Sequence, residues 1–148
     1  MRNVLFVVLS ALLLPLAGGA QTENTLTNSE GLSCFETLAA PEYPKTALQS
    51  SVDGSVWTWT QVSPQGTVNK IETQVVSAWG IGPKLLVPPV EKAIRAAKIK
   101  SSCAGKTIAM VFRYELHGDA TPDPKVTSRT EAPNMMWIEG QPATAGNH

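Results

Sequence analysis

With 148 residues carrying twelve basic and twelve acidic side chains, the chain has room for one modest hydrophobic core and not for two. Its cations are scattered, with only Lys92, Arg95, Lys98 and Lys100 close together, and a phosphate-tracking surface needs a basic patch. The composition therefore argues against a nucleic-acid partner.

The N-terminus has the layout of a secretory signal: Met1-Arg2-Asn3, an apolar run from Val4 to Ala17, then Gly18-Gly19-Ala20 and a polar stretch from Gln21. Cleavage is expected near Ala20, giving a periplasmic or secreted protein. The rival reading is an uncleaved anchor. A helix through that run would rise only about 21 Å, against a hydrocarbon core of roughly 30 Å, and Pro15 interrupts it. Loss of residues 1–20 would leave eleven basic and twelve acidic side chains. In an exported chain the two cysteines, Cys34 and Cys103, read as one disulfide. Residues 21–33 are polar and form a flexible leader, with order expected from Cys34.

In Ala40-Pro41-Glu42-Tyr43-Pro44, Pro41 keeps the chain extended and Pro44 opens a short helix whose buried side is Tyr43, Ala47 and Leu48. A β-hairpin follows from Asp53 to Val76. Its turn is Ser63-Pro64-Gln65-Gly66, where Pro64 fixes the first corner and Gly66 takes the left-handed conformation. Before the turn, Val56, Thr58, Thr60 and Val62 share one face and Ser55, Trp57, Trp59 and Gln61 the other. After it, the apolar parity switches between Val68 and Ile71, which predicts a bulge near Asn69-Lys70.

Trp79-Gly80-Ile81-Gly82-Pro83 reads as a loop. Pro88-Pro89 then opens the main helix, expected over 88–98, with Val90, Ala93, Ile94 and Ala97 as its buried stripe. Thr107 to Leu116 is the third strand: Ile108, Met110, Phe112 and Tyr114 line one face, Ala109, Val111, Arg113 and Glu115 the other. From His117 to His148, Pro122, Pro124, Pro133 and Pro142 predict a mobile tail. One apolar island interrupts it, Met135-Met136-Trp137-Ile138. It reads as a short segment docking back on the domain or as a strand added to a sheet edge.

The expected fold over 34–116 is α+β: a three-stranded antiparallel sheet in the order second, first, third, with two helices packed on one face. The third strand would then have one unpaired edge, able to accept an extended peptide through main-chain hydrogen bonds. Thr107, Ala109, Val111 and Arg113 are the candidate contacts there. Trp57 and Trp59 fall opposite the valine face beside Arg113, so they are either an exposed interaction surface or a second small core covered by the tail around Trp137.

Chemistry is sparse. No nucleophile pairs with a base and no metal cluster stands out; His117 sits at a strand end and His148 at the end of the tail, and the two cysteines lack redox spacing. The expectation is a non-enzymatic protein without a metal or small-molecule cofactor.

Pro41-x-Tyr43-Pro44-x-x-Ala47, Gly54-x-Val56, Val62-x-Pro64-x-Gly66-x-Val68 and Phe112-x-Tyr114, in the order short helix, hairpin, long helix, strand, resemble the C-terminal domain of TonB. The resemblance covers roughly Ala40 to Leu116. It implies a periplasmic module that grips outer-membrane receptors, holding an extended receptor peptide on the third-strand edge with further contacts near Glu42 and Tyr43. TonB's membrane-spanning N-terminus with its His, and its Pro-rich spacer, have no counterpart here, so the implied module is detached from the motor. The expected partner is a protein or extended peptide of the cell envelope. The alternative is a TonB-like structural subunit that self-associates through edge strands, as in a weak homodimer.

Overall fold

The computed structural model describes residues 31–144. The elements in chain order are β1 (Phe35–Thr37), α1 (Lys45–Gln49), β2 (Gly54–Val62), β3 (Val68–Val76), α2 (Gly82–Ala96), β4 (Lys98–Ile99), β5 (Thr107–Leu116), β6 (Val126–Glu131) and β7 (Met135–Gly140). The expected signal, residues 1–20, and most of the expected leader lie outside the described residues. Among the described residues no helix is long and apolar enough to cross a membrane.

β2 and β3 form the expected hairpin. Gly66 has φ +83°, and its N–H donates to the Ser63 carbonyl at 2.9 Å while the Ser63 N–H donates to Thr67 at 2.8 Å. Only a residue at ease in the left-handed region closes such a loop. Gln61 lies opposite Lys70 and Val62 opposite Val68, so Asn69 is the extra residue of a bulge, where the parity switch places it. β5 pairs antiparallel with β2, Val56 opposite Phe112. The order second, first, third therefore holds for these strands.

The sheet nevertheless has five strands and is mixed, in the order β3-β2-β5-β7-β6, which corrects the three-stranded antiparallel expectation. β7 runs parallel to β5 from Val111 opposite Met135 to Leu116 opposite Gly140, and β6 pairs antiparallel with β7. The segment 126–140 is thus an ordered hairpin and not a mobile tail. Its prolines stand in the connections: Pro122 and Pro124 before β6, Pro133 between β6 and β7, Pro142 after β7. The driving force is twofold. Pairing satisfies the backbone groups that β5 would otherwise leave at an edge, and the alternation of β7 puts Met136 and Ile138, 3% and 0% exposed, into the core.

That core lies between the sheet and the two helices. Val56, Ile108, Met110, Phe112, Tyr114 and Ile138 meet Ala47 and Leu48 of α1 and Leu86, Val90 and Ile94 of α2 in one cluster. Phe112 and Ile94 are fully buried, as their spacing predicts. α2 begins at Gly82, six residues before the expected Pro88, and ends at Ala96. Pro88 and Pro89 therefore sit inside it. Each removes an N–H and leaves the carbonyl four residues earlier, on Lys84 or Leu85, without its helical donor. Lys84 and Pro88 are exposed, so water reaches this side of the helix and the loss is tolerated. The earlier turn is anchored by Leu86, fully buried four residues before Val90.

Cys34 and Cys103 form a disulfide across a sequence separation of 69. Closing a loop of that length removes unfolded-state entropy equivalent to about 4 kcal/mol at most. β1 and β4 pair beside it as a small second sheet.

Candidate functional site

The face of the large sheet away from the helices is built by β2, β5, β7 and β6, whose alternation turns Trp57, Trp59, Ala109, Val111, Arg113, Met135, Trp137 and Arg129 to one side. Trp57 and Trp59 are half-buried, with ring centroids 6.5 Å apart and planes inclined at 52°. Trp57 stands directly across from Val111 and Trp59 across from Ala109. Val111 and Ala109 are 5% and 2% exposed; Val111 lies between Trp57 and Met135, and Ala109 beside Trp59. Their side chains are therefore floor and not contact surface. Thr107 and Arg113 remain exposed.

Trp137 does not cover the indole pair. It lies on the same face beyond β5, in register with Arg113 on one side and Arg129 on the other. The guanidiniums approach its ring centroid to 4.9 Å from Arg113 and 4.2 Å from Arg129, within the range of cation–π attraction. The indole N–H donates to Glu131 Oε2 at 3.0 Å, and Arg113 Nε donates to Glu115 Oε1 at 2.6 Å. Arg129 lies 3.4 Å from Glu131 and 3.5 Å from Glu139. The open face thus has an apolar part over β2 and a cation–indole–carboxylate part over β7 and β6.

The third-strand edge expected to take a peptide is occupied over its C-terminal part: β7 pairs with β5 along Val111–Leu116, and the Val111 N–H donates to the Asn134 carbonyl at 2.8 Å. Among the described residues, the sheet now ends at β3 on one side and β6 on the other. The second strand-addition reading of the island from Met135 to Ile138 is thus the arrangement found.

Tyr43 is 3% exposed and so cannot meet a partner directly. It packs edge-on against Tyr114, centroids 5.0 Å apart at 81°, and its hydroxyl donates to the Val52 carbonyl at 2.8 Å. The Tyr114 hydroxyl donates to the Glu42 carbonyl at 3.4 Å. Burial, then the charges of Asp53 and Glu115, push the Tyr43 hydroxyl above its ordinary pKa; burial, then Tyr43 and Glu42, do the same to Tyr114. The Tyr-Pro motif is therefore a structural anchor. Gly140, at the end of β7, fits beneath it: a Cβ there would lie 3.1 Å from Tyr43 Cδ2 and 3.0 Å from Leu48 Cδ2. Glu42 is exposed and lines a groove of about 600 Å³ between this segment and α2, together with Lys45, Leu85, Pro88 and Lys92.

Two features escape the sequence reading. His117 is not isolated at its strand end: its Nε2 lies 3.3 Å from Glu115 Oε2, and Glu139 brings a third ligand atom into a group spanning 4.8 Å. Glu115 and Glu139 also hold Arg113 and Arg129, so the two carboxylates belong to an ion-pair network at the surface. The i, i+2 spacing of Glu115 and His117 is the signal for their shared face; the arrival of Glu139 depends on β7. The second feature is Trp79, read only as part of a loop and found 89% exposed, with Ile81 at 49%. Comparison of the chain with protein-family models, with curated proteins and with solved structures returns no match.

Proposed function

We propose that the chain is an exported, non-enzymatic binding module that takes a protein or extended peptide of the cell envelope on the open face of its sheet. The observation that carries this reading is the half-buried pair Trp57 and Trp59 on the face away from the described helices. Aromatic and arginine side chains are enriched where protein interfaces concentrate their binding energy, and Arg113 and Trp137 continue the same surface. The module looks like the receptor-gripping domain of TonB without the motor. A strand-adding peptide would use the outer edge of β3, Val68–Val76, which ends the sheet, since β7 occupies that of β5 along Val111–Leu116.

The test places a photo-crosslinking amino acid at Gln74, exposed on the open face opposite Trp57, and separately at exposed Glu36 on β1. In exporting cells the reading expects a discrete protein adduct from Gln74 and none from Glu36. The adduct should disappear in Trp57→Ala/Trp59→Ala. An adduct that survives the double substitution, or adducts from both positions alike, would rule out the open face as the binding surface.

A further inference from the structure

The side of the molecule opposite the open sheet face carries a different pattern. Trp79, at 89% exposure, and Ile81, at 49%, stand at the tip between β3 and α2. The tip is a tight turn, closed by the Gly82 N–H donating to the Trp79 carbonyl at 3.0 Å, with Gly80 at φ +61°. One exposed apolar residue needs no explanation, but a nearly free indole two positions from an exposed isoleucine is a concentrated apolar projection.

Cations continue from this tip along α2. At 3.6 residues per turn, Ile81, Lys84, Pro88, Lys92 and Arg95 fall on one side of the helix, and all five are exposed. Lys45 of α1 joins Lys84 and Lys92 around the groove beside it. Among the described residues the only acid lining that groove is Glu42, and Glu91 lies on the flank of the helix. On the open sheet face, Lys70, Arg113 and Arg129 are each tied into an ion pair. Lys45, Lys84, Lys92 and Arg95 have no carboxylate within 4 Å among the described residues. In a chain with no net charge, a cluster of unneutralised cations behind an apolar tip is a local specialisation.

We infer that this side docks on an anionic membrane surface, with Trp79 and Ile81 inserted among the lipid headgroups and Lys45, Lys84, Lys92 and Arg95 held against their phosphates. Tryptophan favours the membrane–water interface because its ring is apolar and its N–H polar. Clustered Lys and Arg supply the electrostatic attraction to anionic lipids. The apolar stripe of α2 is already buried against the sheet, so the helix contributes charges and the tip contributes insertion. The inference is independent of the open-face reading and would leave that face pointing away from the bilayer.

The experiment is flotation of the protein purified from exporting cells with vesicles of phosphatidylglycerol and phosphatidylcholine in equal parts, against pure phosphatidylcholine. The expected result is binding to the anionic vesicles only, weakened by added salt. Trp79→Ala should weaken it about tenfold, and Lys84→Ala/Lys92→Ala about thirtyfold. Val126→Ser, which removes an exposed apolar side chain on β6, should leave it unchanged. All these positions are exposed, and circular dichroism melts check that each variant remains folded. Absence of binding, equal binding to neutral vesicles, or binding insensitive to Trp79→Ala would overturn the inference. Failure to bind vesicles combined with a protein adduct from a crosslinker at position 79 would overturn it in favour of a protein partner.

Discussion

The two faces of the large sheet are made from alternate residues of the same strands, yet they solve different problems. On the helix side, Val56, Met110, Phe112 and Ile138 are shielded from water by α1 and α2. On the other side, Trp57, Trp59 and Trp137 keep part of their surface in solvent and are held by neighbours on the sheet itself. The first arrangement makes the fold stable, because it removes whole side chains from water. The second leaves large, stiff side chains only partly desolvated, so a partner that completes their burial gains from it. Under the proposed function, the period-two alternation of the strands keeps stability and recognition apart.

Substitutions should break that comparison cleanly. Phe112→Ala empties the centre of the sealed face and should cost about 3–5 kcal/mol, whereas Trp59→Ala, on the open face of the adjacent strand, should cost about 1 kcal/mol or less. Urea unfolding of both variants checks this. Equal losses would mean that the indole pair belongs to the core and serves no partner. Next in size is Ile138→Ala on β7, expected at about 2–5 kcal/mol because the side chain is fully buried. A loss near zero would show that the β6–β7 hairpin detaches without disturbing the sealed face.

A pH experiment probes the polar edge of the same core. Burial raises the hydroxyl pKa of Tyr43 and Tyr114 above the ordinary value of 10.0. An unfolded chain therefore releases these protons at a lower pH than the folded one. The stabilising contribution is fully present below pH 10 and is lost as pH rises through the higher folded values. Denaturation from neutral pH to about pH 12 should show stability falling above about pH 10, and Tyr43→Phe/Tyr114→Phe should flatten that fall. A wild-type profile that stays level over that range would mean the two hydroxyls are open to water.

What the sequence made legible follows from locality. The Ser63–Gly66 turn, the bulge at Asn69, the inward Val56 and Phe112 and the outward Trp57 and Trp59 all rest on neighbours a few residues apart. The partners Cys34 and Cys103 were the two available. The β6–β7 hairpin was hidden because its strands are only six residues long and are bracketed by prolines, which read as disorder until the connections are known. Its pairing with β5 joins Val111 to Met135, a contact no local pattern encodes. The Arg113–Trp137–Arg129 stack was invisible for the same reason. The six residues of α2 before Pro88 are hidden because Pro88-Pro89 is a start signal that here stands inside the helix, beside the exposed Lys84.

The smallest effect concerns a flaw in the sealed face. Thr58 and Thr60 are the polar residues of β2 that point under the helices, 0% and 1% exposed. Thr58 Oγ1 donates to the Met110 carbonyl at 3.4 Å, but Thr60 Oγ1 is buried without a hydrogen-bond partner among the described residues. Its hydroxyl loses water on folding and recovers nothing, whereas a methyl group of nearly the same size would lose nothing. Thr60→Val should therefore stabilise the protein by about 1 kcal/mol, while Thr58→Val, which gives up a bond, should not. Thermal melts resolve a difference of that size, since it moves the midpoint of a domain this long by about 4 °C. A gain at both positions would mean that the Thr58 bond contributes nothing, and a loss at Thr60 would mean that its hydroxyl has a partner after all, such as an enclosed water. In either case the helix-covered side would be less completely dry than its burial indicates, and the contrast between the two faces would be one of degree.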